Sequence, residues 1–179
     1  MAVTIRRPEA SDDVNSFDCR DEALNNYLKR HAWNNQQKSS IGVTYVAVDE
    51  IAPRSVIGYV TLATSSVRRD SLPKKAVRGL PPYDLPMILL ARLAVDRRFG
   101  GRGLGQALLS EALRIALAVS DQIGCRAVIV DAYPQAVDWY RRYGFLPIED
   151  VAGTSVRMFI DIRTIRAARD AGLSRDAGL

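Results

Sequence analysis

Ile88-Leu89-Leu90-Ala91-Arg92-Leu93-Ala94-Val95-Asp96-Arg97-Arg98-Phe99-Gly100-Gly101-Arg102-Gly103-Leu104-Gly105 passes from an apolar strand into a basic, glycine-rich turn. The chain then continues to Val119 as a long amphipathic helix pattern. Four glycines among residues 100–105 cost backbone entropy, which points to a place where something approaches the main chain closely. A strand feeding such a turn into a helix start also presents unpaired N–H groups and the positive end of a helix dipole, an arrangement suited to phosphate.

The spacing excludes two phosphate ligands. A mononucleotide loop of the Walker type needs Lys and then Ser or Thr after its last glycine, but Gln106 and Ala107 follow Gly105. A dinucleotide fingerprint needs G-x-G-x-x-G, and Gln106 fills the slot of its third glycine. What remains is G-x-G-x-G with basic neighbours, which fits either an anion cradle or a plain flexible surface turn.

Composition bounds the rest. The chain has 179 residues, 47% of them hydrophobic and 25% charged, which predicts one soluble globular domain with a real core. Arg92 and Arg114 interrupt the two most apolar stretches, so no membrane span is expected. The N-terminal residues Met1 to Pro8 lack a signal-peptide core. Cys19 and Cys125 show no pairing pattern, and together these features predict a cytoplasmic protein. A single histidine, His31, cannot anchor a multi-histidine site, so no metal is expected. A net charge of +5 favours polyanionic partners such as nucleic acid or a phosphorylated cofactor.

Hydrophobic periodicity supplies the elements. Residues 1–8 read as extended. Leu24, Tyr27, Leu28 and His31 recur at helical spacing, with His31 on a half-buried face. Thr44 to Val48 and Val56 to Leu62 read as strands joined by the polar link 49–54, and Gly58 marks a bulge or a close approach. Residues 67–86 read as an irregular basic connection, its second half broken by Pro73, Pro81, Pro82 and Pro86. Such a connection is either a solvated loop or a nucleic-acid contact carrying Arg68, Arg69, Lys74, Lys75 and Arg78.

On the helix that follows the glycine-rich turn, Leu104, Leu108, Ala112, Ile115 and Val119 form an apolar stripe ended by Gly124. Ala127 to Val130 is then a buried strand, parallel to the Ile88 strand because a helix joins them. A short helix, Gln135 to Arg142, closed by Gly144, precedes the strands Phe145 to Ile148 and Ser155 to Ile160. The resulting class is α/β with a mixed sheet.

Two motifs on this framework resemble the GNAT superfamily of acetyl-CoA-dependent N-acetyltransferases: the glycine-rich turn behind Leu93-Ala94-Val95, and the helix end Trp139-Tyr140-Arg141-Arg142-Tyr143-Gly144-Phe145. A narrower resemblance, to the acetyltransferase toxins of type II toxin–antitoxin modules, runs through Ser16-Phe17-Asp18-Cys19, Leu24-Asn25-Asn26-Tyr27-Leu28, Gly58-Tyr59 and Ala91 to Arg98. That family acetylates the amino group of aminoacyl-tRNA and stops translation.

The resemblance implies a GNAT fold: a central twisted, mostly antiparallel sheet with a parallel pair at the acetyl-CoA site, flanked by helices. It implies one catalytic domain over residues 1–162 with a tail at 163–179. The backbone of Leu93, Ala94 and Val95 would pair with the pantetheine arm, and main-chain groups of Gly101, Arg102, Gly103, Leu104 and Gly105 would hold the pyrophosphate. The family often has Gln or Arg where Gly100 stands, so Arg97, Arg98 or Arg102 is expected to supply that contact.

Tyr140 corresponds to the general acid on the departing thiolate. Arg92, Lys29, Arg30 and Arg78 are the leading candidates for tRNA contact, with Arg141 and Arg142 behind them. A homodimer and a small ribbon-helix-helix antitoxin complete the expectation. Two other functions stay open: acetylation of a protein N-terminus or small amine, and non-catalytic acetyl-CoA binding that regulates a partner.

Overall fold

The computed structural model describes residues 2–152 and 154–176. Seven strands follow the order β1-β2-β3-β4-β5-β7-β6, numbered along the chain: Val3–Arg6, Val43–Asp49, Ala52–Val67, Leu85–Val95, Ala127–Ala132, Leu146–Ala152 and Ser155–Asp161. β4 and β5 are parallel, whereas β1–β2, β2–β3, β5–β7 and β6–β7 are antiparallel. This is the mixed α/β sheet expected from the sequence. Two compact units share the chain, residues 1–63 with 90–112 and residues 64–89 with 113–179.

In the first unit, Phe17, Tyr27, Leu28, Ala32, Val46, Val48, Val56, Tyr59 and Ala94 form one apolar cluster. The β-branched and aromatic run of β3 is buried without interruption from Val56 to Leu62, as a strand covered on both faces must be. The buried Thr44 and Thr61 hydroxyls satisfy each other across β2 and β3 at 2.9 Å. The link between these strands is tighter than the sequence suggested: Asp49 pairs with Ala52, leaving only Glu50 and Ile51 in the turn. Gly58 fulfils both of its expected roles. The register slips beside it, Ala47 facing Gly58 while Val48 faces Val56, and a Cβ at position 58 would stand 2.9 Å from Leu108 Cδ1 and 3.2 Å from the Ala94 carbonyl oxygen.

Helix α1, residues 22–39, begins with the Asp21 carboxylate accepting from the Leu24 N–H at 3.0 Å. It corrects one expectation, because residues Tyr27–His31 wind as a π turn, the Ala32 N–H reaching back five residues to the Tyr27 carbonyl. The extra residue per turn rolls Ala32 inward and His31 out, so His31 is exposed rather than half-buried.

The second unit packs Val67, Leu72, Val77, Leu85, Met87, Ala127, Ile129, Ile148 and Phe159 together. Its basic connection is more regular than expected. A 3₁₀ turn, Arg69–Ser71, and helix α2, Lys74–Val77, bury Leu72 and Val77, and β4 already starts at Leu85. Arg126 ties the strands down, pairing with Asp161 at 2.6 Å and donating to the Ala76 carbonyl at 2.8 Å.

Helix α3, Leu104–Ile123, ends at Gly124 with φ of +74°. Its buried stripe runs through Leu104, Leu108, Ala112 and Ala116, with Leu109 and Leu117 beside it; Ile115 and Val119 are only half-buried. At about 100° per residue, the burial of Leu109 and Leu117 turns the centre of the buried face toward Ala116 and away from Ile115. After the short helix α4, Val137–Arg141, the tail forms helix α5, Ile162–Asp176, seated by Ile162 and Ile165. Residues 177–179 of the expected tail lie outside the described residues. Among the described residues no helix is long and apolar enough to cross a membrane.

Candidate active site

The parallel ladder of β4 with β5 is short, pairing Met87, Ile88 and Leu89 with Ala127, Val128 and Ile129. Beyond it Leu90–Val95 continue β4 within the first unit. Ala94 is buried against the first unit's core, while Leu93 and Val95 remain half-exposed. These are the backbone groups expected to meet an extended ligand arm.

Past β4, a 3₁₀ turn, Arg97–Phe99, leads into the glycines. Only two of them are required by conformation. Gly101 and Gly103 have φ of +74° and +79°, and a Cβ at either would meet nothing within 4 Å. Gly100 is ordinary backbone at φ of −59°, which any residue adopts. Ala107 N–H makes a bond back to the Gly103 carbonyl at 3.0 Å. The N–H groups of Leu104, Gly105 and Gln106 therefore precede that first helical bond. Main-chain donors at the head of a 20-residue helix, with open space beside Gly101 and Gly103, have the chemistry a pyrophosphate needs.

The arginines expected nearby divide. Arg102 is exposed, its guanidinium 5.6 Å from the Phe99 ring centroid. Arg98 is spoken for: its Nε and one terminal nitrogen donate to Asp96 at 2.9 and 2.8 Å, and the same terminal nitrogen reaches the Ser16 carbonyl. Arg97 pairs with Asp18 at 3.1 Å. Asp96 itself is fully buried and was not singled out by sequence reasoning. Besides Arg98 it accepts from the backbone N–H groups of Arg98 and Asp18. Burial pushes its carboxyl upward, but the Arg98 side chain and these N–H donors prevail and hold it below the ordinary range. The available signal was an aspartate directly ending an apolar strand, where a charge needs partners.

Of the expected tRNA contacts, Lys29 and Arg30 are exposed on the π turn of α1, and Arg78 is exposed just after α2. Arg92, half-buried, lays its guanidinium 3.6 Å over the Tyr27 ring. Tyr27 in turn stacks on Tyr59, whose hydroxyl donates to the Leu24 carbonyl at 2.9 Å.

Tyr140 belongs to the second unit. Gly144, with φ of +88°, lets the chain reverse so that the Phe145 N–H returns to the Tyr140 carbonyl. Its ring stands edge-on to Phe145 at 5.3 Å and to Trp139 at 4.9 Å; Tyr143 instead packs on Trp139 at 4.8 Å. The side chain is 7% exposed, and burial alone pushes its hydroxyl up to about 12. Among the described residues that hydroxyl has no hydrogen-bond partner.

In the first unit a strand leads into main-chain donors at a helix head, and in the second unit a tyrosine is buried and protonated; each is a feature that acyl transfer can use. The chain belongs to the acetyltransferase (GNAT) domain family, whose pattern matches residues 40–147, and acetyl-CoA is its cosubstrate.

Particular relatives narrow this class. The tRNA-acetylating toxin of Mycobacterium tuberculosis (strain ATCC 25618 / H37Rv) is 36% identical over 141 residues, covering 78% of this chain and 82% of the relative. The structure of AtaT complexed with acetyl-methionyl-tRNAfMet matches with a TM-score of 0.85 at 29% identity, over 93% of this chain and 99% of that one. A tyrosine-to-phenylalanine mutant of the AtaT toxin, bound to the C-terminus of the antitoxin AtaR and to acetyl-CoA, matches with a TM-score of 0.77 at 27% identity, over 93% and 97%.

Proposed function

We propose that this acetyltransferase is the toxin of a type II toxin–antitoxin module and acetylates the α-amino group of aminoacyl-tRNA, so stopping translation. The observation that carries the reading is the extent of the likeness to tRNA-acetylating toxins, which covers most of this chain and of theirs.

Acetyl-CoA supplies an acetyl group activated as a thioester. The neutral acceptor amine attacks its carbonyl carbon, a C–N bond forms and the C–S bond breaks; the departing sulfur takes a proton and the nitrogen gives one up to solvent. In this proposal Leu93, Ala94 and Val95 align the extended arm, while Gly101, Arg102, Gly103, Leu104 and Gly105 hold the pyrophosphate, with Arg102 closing over it. Tyr140 is the proton donor. An α-amino group titrates at about 7.7–8.0, so part of it is neutral without a dedicated base, whereas a lysine side chain at about 10.4 is almost wholly charged.

Lys29, Arg30, Arg78 and Arg92 meet the tRNA backbone, Arg92 from its fixed seat on Tyr27. Residues 1–162 act as the catalytic domain and 163–179 as its tail. The protein works in the cytoplasm as a homodimer, and a small ribbon-helix-helix antitoxin neutralises it.

Labelled acetyl-CoA offered with charged tRNA, uncharged tRNA, an N-terminal peptide and small amines tests the acceptor. Label is expected on charged tRNA alone, with kcat/KM falling steeply as salt rises because phosphate contacts release counterions. Label on peptide or amine with none on charged tRNA overturns the toxin reading. A separate test addresses the cradle. Gly103→Val places a β-branched residue at positive φ, a strain of about 1–2 kcal/mol, and puts its side chain where the ligand lies. Calorimetry is expected to show acetyl-CoA binding weakened at least tenfold.

A further inference from the structure

We propose that Asp96 is a positioning residue for acetyl-CoA, fixing the cofactor cradle by tying its leading edge to the N-terminal segment 16–25. The inference rests on reading residues 101–105 as that cradle.

The segment and the loop are laced together in both directions. The Asp18 N–H donates to Asp96 Oδ2 at 3.1 Å, and the Arg97 N–H donates back to the Asp18 carbonyl at 2.9 Å. Asp96 Oδ1 takes the Arg98 N–H, and Arg98 carries the link on to the Ser16 carbonyl. The Asp96 N–H is itself held by the Ile57 carbonyl of β3 at 2.9 Å. On the other side, the Asp18 carboxylate pairs with Arg97 and accepts from the Arg20 N–H and from Asn25 Nδ2, while Asn25 Oδ1 takes the Cys19 N–H. Arg20 is held at φ of +67° within this web, a conformation that surrounding bonds must enforce.

Geometry makes the consequence direct. Gly101 and Gly103 give the cradle freedom to collapse or splay, and residues 97–99 are its only covalent approach from β4. A cradle of amides binds well only if the amides already point at the anion; each loose torsion must otherwise be frozen on binding. Asp96 removes that freedom at the start of the loop. It does so through a segment that opens α1, which carries Lys29 and Arg30, so acetyl-CoA binding and order in residues 16–25 should reinforce each other.

The test is Asp96→Asn, nearly isosteric but with an amide N–H₂ facing one pair of donors. Calorimetry well below the melting temperature is expected to show acetyl-CoA bound about tenfold more weakly. The KM for acetyl-CoA should rise to match, and kcat at saturating acetyl-CoA should stay within about threefold. A merely structural Asp96 would lower the melting temperature and leave that dissociation constant unchanged, and this result overturns the proposal.

Gly103→Val, run in parallel, separates the two claims. If it weakens binding and Asp96→Asn does not, only the positioning role fails; if neither does, the cradle reading fails and takes the inference with it. Should Asp96→Asn not fold, hydrogen exchange on the wild-type chain decides. Amides of residues 16–19 should exchange more slowly with acetyl-CoA bound, and unchanged exchange overturns the proposal.

Discussion

Tyr140→Phe is expected to lower kcat by a factor on the order of 10² to 10⁴, the usual contribution of a positioned proton donor. It should leave the KM for acetyl-CoA and the fold unaltered. The ring contacts to Trp139 and Phe145 survive the substitution, and the lost hydroxyl gives up no hydrogen bond within the described residues. Melting temperatures of the two proteins should therefore agree within a few degrees.

The chemistry also sets the pH profile. A hydroxyl pushed up to about 12 stays protonated through neutral and mildly alkaline solution, so Tyr140 adds no descending limb below about pH 10. The rising limb belongs to the acceptor, which must lose its proton near the α-amino range of about 7.7–8.0. Because Tyr140 stays protonated throughout this range and the acceptor titrates alike for both proteins, the deficit of the variant should be the same from about pH 6 to about pH 9. Induced in cells, the variant should no longer arrest growth. A variant that keeps kcat within threefold of wild type removes Tyr140 from the chemistry.

What the sequence disclosed about this site follows from how local each signal was. The strand, turn and helix around Gly101 and Gly103 lie within a few residues of one another, so their spacing sufficed to exclude two nucleotide loops and to point to an anion cradle. Tyr140 came instead from the resemblance of the motif Trp139 to Phe145 to the GNAT pattern, a signal equally local.

Asp96 was not, because its meaning depends on Asp18, 78 residues away, and on a backbone N–H that no residue type announces. His31 misled for a different reason. Periodicity assumes 3.6 residues per turn, and the π turn at Tyr27–His31 adds one without any change in composition. The basic stretch at 67–86 read as loop because its prolines are dense, yet Pro73 and Pro86 stand where proline is tolerated, at the start of α2 and near the first residue of β4.

Asp96→Ala is expected to cost on the order of 3 kcal/mol of stability. Its four accepted bonds do not count equally. The Arg98 side chain is 53% exposed and can turn to water, so its share is discounted to that of a surface pair, under about 1 kcal/mol. The Asp18 and Arg98 backbone N–H groups are fixed by the chain in part-buried positions, and each donor left without its buried acceptor costs about 1–3 kcal/mol. Against a total of about 5–15 kcal/mol for a domain, the loss is severe but survivable. With a urea slope of about 1–3 kcal/mol per molar for small proteins, the midpoint should fall by roughly 1–3 M.

The dependence on pH identifies the cause. The folded protein holds the Asp96 carboxyl below its unfolded value of about 3.9, so the wild type gains this stability in full above that value. It loses the gain as pH falls through the lower, folded value. The gap between wild type and variant should therefore be widest at neutral pH and should narrow below about pH 4. Asp13 and Asp161 are also held low, but Asp96 does not act on them and they cancel in the difference; Asp18 feels the Asp96 charge, and the alanine moves it further down. A gap that stays constant from pH 7 to pH 3 would mean that the alanine acts by leaving a hole and not by removing a charge. The tie between the cradle and residues 16–25 would then be steric, and Asp96→Asn should bind acetyl-CoA as the wild type does.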